Sequence, residues 1–115
     1  LMQLEDIYQY FANPPEIYLC QEQAVCYILS VLLEGESYGS GLIQKLEREE
    51  SRYRLSDTVL YAALKFLEDE GAIAGYWQKL EGRGRPRRMF RLNHQWQDEA
   101  RKLAKLWSDS ITKYK

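Results

Sequence analysis

Residues 73–92 constrain the fold more than any other segment, because they predict two short strands joined by a basic turn. Stretches that carry apolar side chains, 73–80 and 89–92, flank residues 82–88, whose sequence is Gly-Arg-Gly-Arg-Pro-Arg-Arg. Glycine and proline at this spacing favour a turn over a continuous helix or strand. The pattern therefore predicts a β-hairpin with a flexible basic tip.

The tip of this hairpin concentrates positive charge in a chain that is nearly neutral overall. The formal net charge of the 115 residues is −1, yet no acidic residue lies between Glu81 and Asp98. Clustered arginines attract phosphate by counterion release, and the guanidinium group fits the narrow minor groove of A·T-rich DNA. The expected DNA-binding residues of the tip are Arg83, Arg85, Arg87 and Arg88. A solvated surface turn is the alternative interpretation.

Two helices are predicted in the first part of the chain. The first covers residues 4–12, is ended by an Asn-Pro-Pro sequence and carries its apolar side chains on one face. These side chains are Leu4, Ile7, Tyr8 and Phe11. The second helix covers residues 21–34, and its middle is apolar on all sides, which is typical of the central helix of a small domain.

Two further helices are predicted before the hairpin. Ser37 is expected to cap a helix that ends at about residue 50, with Leu42, Ile43 and Leu46 as its inner face. Ser56 is expected to cap a helix over residues 57–70, which Gly71 ends. Three helices from residue 21 onward, followed by a two-stranded wing, are the order of a winged helix-turn-helix. In such a fold, residues 57–70 enter the major groove of DNA.

The helix over residues 57–70 has two opposite faces. The inner face is apolar and consists of Leu60, Ala63, Leu64 and Leu67. The outer face consists of Thr58, Tyr61, Ala62 and Lys65. Thr58 and Tyr61 are expected to contact base edges or phosphates, whereas Lys65 offers a point charge for phosphate. The alternative is an amphipathic helix whose outer face contacts only water, and the basic tip downstream favours DNA.

A final helix is predicted from about residue 94 to the end of the chain. Its apolar residues recur at spacings of four and three, and they form one narrow stripe. The stripe consists of Trp96, Ala100, Leu103, Trp107, Ile111 and Tyr114. Because it is longer than so small a core needs, the stripe predicts a homodimer interface. The N-terminal residues expected on the same seam are Leu4, Ile7 and Phe11. The predicted parts are an N-terminal arm (1–15), a DNA-binding domain (16–93) and a dimerisation helix (94–115).

Three segments resemble the PadR family of bacterial transcriptional regulators. They are Ser37-Tyr38-Gly39, residues 55–71 with a Leu-Tyr-x-x-Leu-x-x-Leu-Glu core, and residues 88–92 with the order Arg-x-Phe-x-Leu. The resemblance covers roughly residues 24–93. It implies a mainly α-helical winged helix-turn-helix with a small β-hairpin, a homodimer joined through the C-terminal helix and, usually, a repressor. It also adds Ser37, Tyr38 and Ser56 to the expected DNA-binding residues.

Two positions depart from the family pattern beside the expected DNA-facing surface. The family's usual Gly-Thr before Leu-Tyr is Thr58-Val59 here. Its usual proline after the tyrosine is Ala62. The resemblance therefore implies binding to double-stranded DNA but carries over no base preference.

Catalysis and metal binding have little support in the sequence. His94 is the only histidine, and no Ser/His/Asp or Cys/His set can be assembled around it. Cys20 and Cys26 provide neither a disulfide framework nor a set of metal ligands. We expect no enzyme activity, no metal and no cofactor.

The sequence also bears on where the protein acts. The longest apolar run, residues 24–33, has about half the length of a membrane span, and no signal peptide is visible. We therefore expect no membrane partner and a location in the bacterial cytoplasm, on the nucleoid. Because the chain begins at Leu1 and stops within a helical pattern at Lys115, we expect it to be a trimmed fragment.

Two other functions stay open beside DNA binding. A ligand-sensing regulator could form an aromatic pocket between dimer helices from Trp77, Trp96 and Trp107. A winged-helix adaptor could instead bind an acidic protein partner through the basic tip. Affinity for DNA of random sequence that falls steeply with salt would favour a nucleic-acid partner over a protein.

Overall fold

The computed structural model describes residues 1–82 and 84–112, which form five α-helices and two small β-sheets. The helices are α1 (Leu4–Ala12), α2 (Gln21–Leu32), α3 (Gly39–Glu49), α4 (Asp57–Asp69) and α5 (Gln97–Thr112). The strands are β1 (Ile17–Tyr18), β2 (Ser37–Tyr38), β3 (Tyr53–Arg54), β4 (Ile73–Gln78) and β5 (Arg87–Leu92). A 3₁₀ turn, His94–Trp96, leads into α5. This arrangement is a winged helix-turn-helix with additional terminal helices, and it confirms the predicted fold class.

The core surrounds α2, as its apolar middle predicts. Ile28 and Leu29 of α2 are fully buried, and the predicted inner face of α4 is buried without exception. The buried residues of that face are Leu60, Ala63, Leu64 and Leu67. Leu42 and Leu46 of α3 are buried, whereas Ile43 is half-buried. None of the described helices is long and apolar enough to cross a membrane.

The wing is an antiparallel sheet of β2, β5 and β4, with β5 in the centre. Ile73 lies opposite Leu92 at the base of the hairpin, and Gln78 lies opposite Arg87 toward its tip. The hairpin is confirmed, and its second strand begins two residues earlier than predicted.

The role expected of Ser37 as a helix cap is wrong. Ser37 lies in β2, opposite Phe90 of β5, and α3 begins only at Gly39 with Tyr38 in the capping position. The physical reason is that the backbone of Ser37 is extended and hydrogen-bonded to a strand far along the chain. The segment that precedes α3 thereby becomes the third strand of the wing.

A second, parallel sheet joins β1 to β3, whereas the sequence analysis predicts no strand in either segment. The backbone N–H of Ile17 donates to the carbonyl oxygen of Arg52 at 2.8 Å, and that of Leu19 donates to the carbonyl oxygen of Arg54 at 2.9 Å. These bonds fix the chain that enters α2 beside the segment that enters α4.

The N-terminal helix α1 forms where it is predicted, but none of its residues is buried. Its apolar face is exposed to solvent, including Leu4, Tyr8 and Phe11. The helix is therefore an arm that leaves the body of the chain with its apolar side uncovered.

Helix α5 packs along α2 and completes the core. Trp107 is only 6% exposed, and its ring meets the rings of Tyr27 and Tyr53 edge-on at centroid distances of 5.8 and 5.4 Å. Ala100 is fully buried. The prediction of Trp107 and Ala100 as dimer contacts is therefore wrong, because the chain's own core encloses both side chains.

The rest of the predicted stripe is less enclosed. Trp96, Leu103 and Ile111 are half-buried, and Tyr114 lies outside the described residues. Leu106, which the stripe did not include, is 62% exposed. The uncovered apolar surface of α5 is thus displaced around the helix from the face that the sequence predicts.

Candidate nucleic-acid interface

The start and end of α4 are fixed by local chemistry, as predicted. The Ser56 hydroxyl oxygen accepts a hydrogen bond from the backbone N–H of Val59 at 3.2 Å. This bond satisfies one of the amide groups that the first helical turn leaves without a helical partner. Gly71 follows the helix with a positive φ of 80°, a conformation that glycine adopts without strain. The outer face of α4 therefore has a defined orientation.

The outer face of α4 is exposed and of mixed character. Its described residues are Thr58, Tyr61, Ala62 and Lys65, and all four are exposed. Tyr61 is 58% exposed, and its hydroxyl lies close to the first turn of α3, since a Cβ atom added at Gly39 would be 3.0 Å from it. Lys65 pairs through Nζ with Asp69 Oδ2 at 3.2 Å, so its charge is partly matched on the same helix. The geometry leaves this face free to meet another molecule.

Among the described residues, no carboxylate forms an ion pair with Arg85 or Arg87 of the wing. Arg85 is exposed near the tip. Arg87 stacks its guanidinium over the ring of Tyr38, with 3.9 Å between the guanidinium carbon and the ring centroid. This cation–π contact holds Arg87 beside the start of α3. Arg83, predicted as a DNA contact, lies outside the described residues.

Arg88 differs from its neighbour, because successive residues of a strand point to opposite faces of the sheet. Its Nη2 atom donates to Glu68 Oε2 of α4 at 3.1 Å. Its guanidinium carbon also lies 5.5 Å from the centroid of the Trp77 ring and 5.7 Å from that of Phe90. The prediction grouped Arg88 with the tip arginines, and the structure instead engages its guanidinium between the wing and α4.

A groove of about 760 Å³ separates α4 from the wing. Its charged lining residues form two internal pairs, Lys65 with Asp69 and Arg88 with Glu68. A smaller cavity of about 170 Å³ adjoins the start of α3, and it is lined by both Tyr61 of α4 and Arg87 of the wing. The outer face of α4 and the basic side of the wing are thus contiguous.

The remaining predicted residues are less accessible. Ser37, Tyr38 and Ser56 are half-buried, the first two in the third strand of the wing and the last as the cap of α4. Sequence reasoning missed Glu68 and Gly75, the residues that enclose Arg88. Strand alternation was the one signal that could have separated Arg88 from Arg87.

The three tryptophans do not share a pocket in the part of the chain that the structure describes. Trp77 lies on the wing beside Arg88, and Trp96 lines a groove next to Phe66. Trp107 belongs to the core. Within one chain, the structure does not assemble the aromatic ligand pocket that these residues suggested. Among the described residues, no group of three metal-ligating side chains lies together.

The comparison with known proteins decides the family. The profile of the PadR-like transcriptional regulators matches residues 28–102, which include α3, α4, the wing and the start of α5. The chain belongs to the PadR-like family of transcriptional regulators. The family regulates transcription and is not a family of enzymes, in agreement with the lack of a catalytic set in the sequence.

Two solved structures are similar over nearly the whole chain. The circadian clock associated protein Pex from Anabaena is 66% identical, with 96% of each chain covered and a TM-score of 0.86. Pex from Synechococcus is 58% identical, with 96% of this chain and 98% of that chain covered and a TM-score of 0.91. A PadR family transcription regulator from Clostridium difficile is 25% identical, with 77% and 91% coverage and a TM-score of 0.61. Among curated proteins, none matches the chain significantly.

Proposed function

We propose that this PadR-like regulator is a homodimeric DNA-binding repressor. The observation that carries the proposal is the contiguity of α4 and the wing, since Tyr61 and Arg87 line the same cavity. A helix that exposes polar and aromatic side chains beside a basic hairpin offers one surface for two adjacent grooves of a duplex. Because the chain belongs to a family of transcriptional regulators, DNA is the partner that we expect at this surface.

The outer face of α4 enters the major groove in this proposal. Thr58 and Tyr61 contact base edges or phosphates there, and Lys65 binds phosphate by exchanging Asp69 for a DNA oxygen. Arg85 and Arg87 bind the adjacent minor groove or its backbone, where a narrow A·T-rich groove attracts guanidinium groups. Asp57 stands at the helix start, where it suits the helix dipole but repels phosphate.

The surface available for dimerisation is apolar and lies on α2, α4 and α5. Two adjoining grooves of about 590 and 340 Å³ share Val25, Phe66 and Leu103, and the larger also includes Cys26 and Leu106. An uncovered apolar surface of this kind marks an interaction site on a soluble domain. Two units held together read two half-sites, which a single winged helix cannot do.

The three parts of the chain keep their proposed roles, with one change. Residues 1–15 act as an arm, residues 16–93 bind DNA and residues 94–115 bring two copies together. The change concerns α5, which also supplies Ala100 and Trp107 to the core of the DNA-binding body. The similarity to two Pex proteins, one described as circadian clock associated, makes a clock gene the first promoter to test.

Binding of DNA across a series of salt concentrations tests the proposal. The parent protein should bind duplex DNA, and its affinity should fall linearly with salt on logarithmic axes. The double variant Arg85→Ala/Arg87→Ala should bind more weakly, and the slope should fall by about one unit for each lost phosphate contact. The matched control is Arg101→Ala/Lys102→Ala, which removes the same charge from the exposed side of α5.

The controls separate this proposal from a protein-binding adaptor. Loss of affinity in both double variants alike would show a general charge effect and would refute the role of the wing. Failure of the parent to bind either random or promoter DNA at low salt would refute DNA binding itself. In that case, the exposed arginines would have to serve an acidic protein partner.

A further inference from the structure

We propose that Glu68, Gly75 and Arg88 form a clasp that positions the wing relative to α4 and thereby controls DNA affinity. The inference rests on the proposed DNA binding, and it assigns Arg88 a role other than phosphate contact. These three residues, together with the Trp77 ring, are called the wing clasp below. They are positioning residues, since they act through the DNA-facing side chains of α4 and the wing.

The clasp links α4 and the wing directly through their side chains. Arg88 of β5 donates from Nη2 to Glu68 Oε2 of α4 at 3.1 Å. The same guanidinium lies over Trp77 of β4, with 5.5 Å to the ring centroid. The guanidinium of Arg88, which belongs to β5, therefore contacts both α4 and β4.

Gly75 is the part of the clasp that makes room for the cation. A Cβ atom added at Gly75 would lie 2.7 Å from Arg88 Nη2 and 2.8 Å from Arg88 Nε. Both distances are far below van der Waals contact. The three atoms nearest to the added Cβ atom all belong to the guanidinium group of Arg88. Because that group ends a flexible side chain, an alanine at position 75 would displace it without disturbing the sheet.

The charge at Glu68 argues that the contact serves position rather than attraction. A carboxylate beside a DNA-facing helix repels phosphate, so it weakens binding unless it does something else there. The two side chains are 38% and 34% exposed, and ion pairs this accessible contribute little to folding stability. The ion pair between Glu68 and Arg88 thus adds little to folding stability, and the charge of Glu68 by itself disfavours DNA binding. We therefore infer that the pair controls the orientation of the wing.

Two substitutions of neighbouring carboxylates test the clasp. Glu68→Gln removes the charge that pairs with Arg88 and leaves at most a weaker, neutral hydrogen bond, whereas Asp69→Asn removes the same charge one residue later, where it pairs with Lys65. We expect Glu68→Gln to weaken operator binding roughly three- to tenfold, which lies in the lower part of the range for coupled residues in direct contact. Asp69→Asn should strengthen binding, because it removes repulsion and frees Lys65. The two variants lose the same charge, and we expect their DNA affinities to change in opposite directions.

Gly75→Ala provides a second variant without any change in charge. It should weaken binding like Glu68→Gln, and the salt slope should fall toward that of the Arg85→Ala/Arg87→Ala variant, since a misplaced wing loses phosphate contacts. Hydroxyl-radical footprints should show weaker protection where the wing lies and unchanged protection where α4 lies. Thermal unfolding of each variant identifies any loss of the fold, which would weaken both parts of the footprint together.

The outcomes separate the clasp from the proposed function. If Glu68→Gln and Asp69→Asn strengthen binding alike, Glu68 acts only by its charge and the clasp is wrong. If the parent binds DNA and the variants bind it with the same affinity as the parent, the clasp is wrong and the proposed function stands. A parent that binds no DNA overturns the proposed function and the clasp with it.

Discussion

Two neighbouring residues of α5, Leu106 and Trp107, should separate folding from assembly. Trp107 is 6% exposed and meets two tyrosine rings edge-on, whereas Leu106 is 62% exposed in the single chain. Truncation of a buried tryptophan to alanine costs about 3–5 kcal/mol. Edge-to-face aromatic pairs contribute about 0.5–1.5 kcal/mol each beyond burial, which favours the upper end of that range. A domain's total stability is about 5–15 kcal/mol, so Trp107→Ala should remove a third or more of it.

Leu106→Glu should leave the fold intact and abolish the proposed dimer. Exposed substitutions change the free energy of unfolding by about 0.5 kcal/mol or less. Burial of a leucine across an interface contributes about 1.5–3 kcal/mol per copy. Loss from both copies should therefore raise the dissociation constant at least a hundredfold, at about 1.4 kcal/mol per factor of ten.

Sedimentation velocity over a range of protein concentrations measures the assembly, and urea unfolding measures the fold. Unfolding is compared at one low protein concentration, because a dimer's midpoint depends on concentration. Ser108→Glu is the matched control, since it adds the same charge to an exposed position on another side of α5. A Trp107→Ala protein that is monomeric but as stable as the parent would refute the assignment of Trp107 to the core. A dimer that tolerates Leu106→Glu would refute the proposed seam.

Three further predictions concern single sites of the fold. Burial raises the pKa of Tyr27 above its usual value of 10.0, so the folded state holds the phenol proton more tightly and stability should fall as the pH rises above 10.0. Tyr27→Phe should flatten this alkaline loss in urea unfolding and cost about 1 kcal/mol at neutral pH, because the Tyr27 hydroxyl donates to the Leu42 carbonyl oxygen at 2.6 Å. Ser56→Ala should lower the free energy of unfolding by about 1 kcal/mol, and aspartate at the same position should retain most of it. Gly71→Ala should cost about 1 kcal/mol in the same measurement, because its φ is 80°. Gly35→Ala, where an added Cβ meets nothing within 4 Å, should be neutral or slightly stabilising, and equal costs at both glycines would contradict the argument.

Features that depend on neighbouring residues could be predicted from the sequence. The bounds of α4 follow from Ser56 and Gly71, because a capping hydroxyl and a left-handed glycine act within one turn of the helix. The buried face of α4 follows from the helical spacing of its apolar residues. The hairpin follows from glycine and proline between two short strands, although the strand at Arg87 begins earlier than the apolar residues indicate.

Features that depend on distant residues could not be predicted in this way. Ser37 is a good helix cap by its chemistry, but its backbone pairs with Phe90, and no local pattern reveals that partner. The stripe on α5 correctly indicated burial, yet periodicity does not tell whether the covering surface belongs to the same chain. Trp107 is covered by Tyr27 and Tyr53 of its own chain. The candidate site shows the same limit at Arg88, whose partner Glu68 lies on another element.

The parallel pairing of β1 with β3 limits how far helix α1 can move from the body of the chain. The backbone N–H of Ile17 is hydrogen-bonded to the body of the chain, so only the residues that precede Ile17 can move away from the body. Residues 13–16 span at most about 14 Å when extended, and the nine residues of α1 add about 14 Å. The far end of α1 therefore lies at most about 28 Å from Ile17, which is less than the 34–36 Å between the centres of adjacent half-sites on a duplex. The apolar face of α1 can accordingly contact a second subunit only where that subunit lies close to the first.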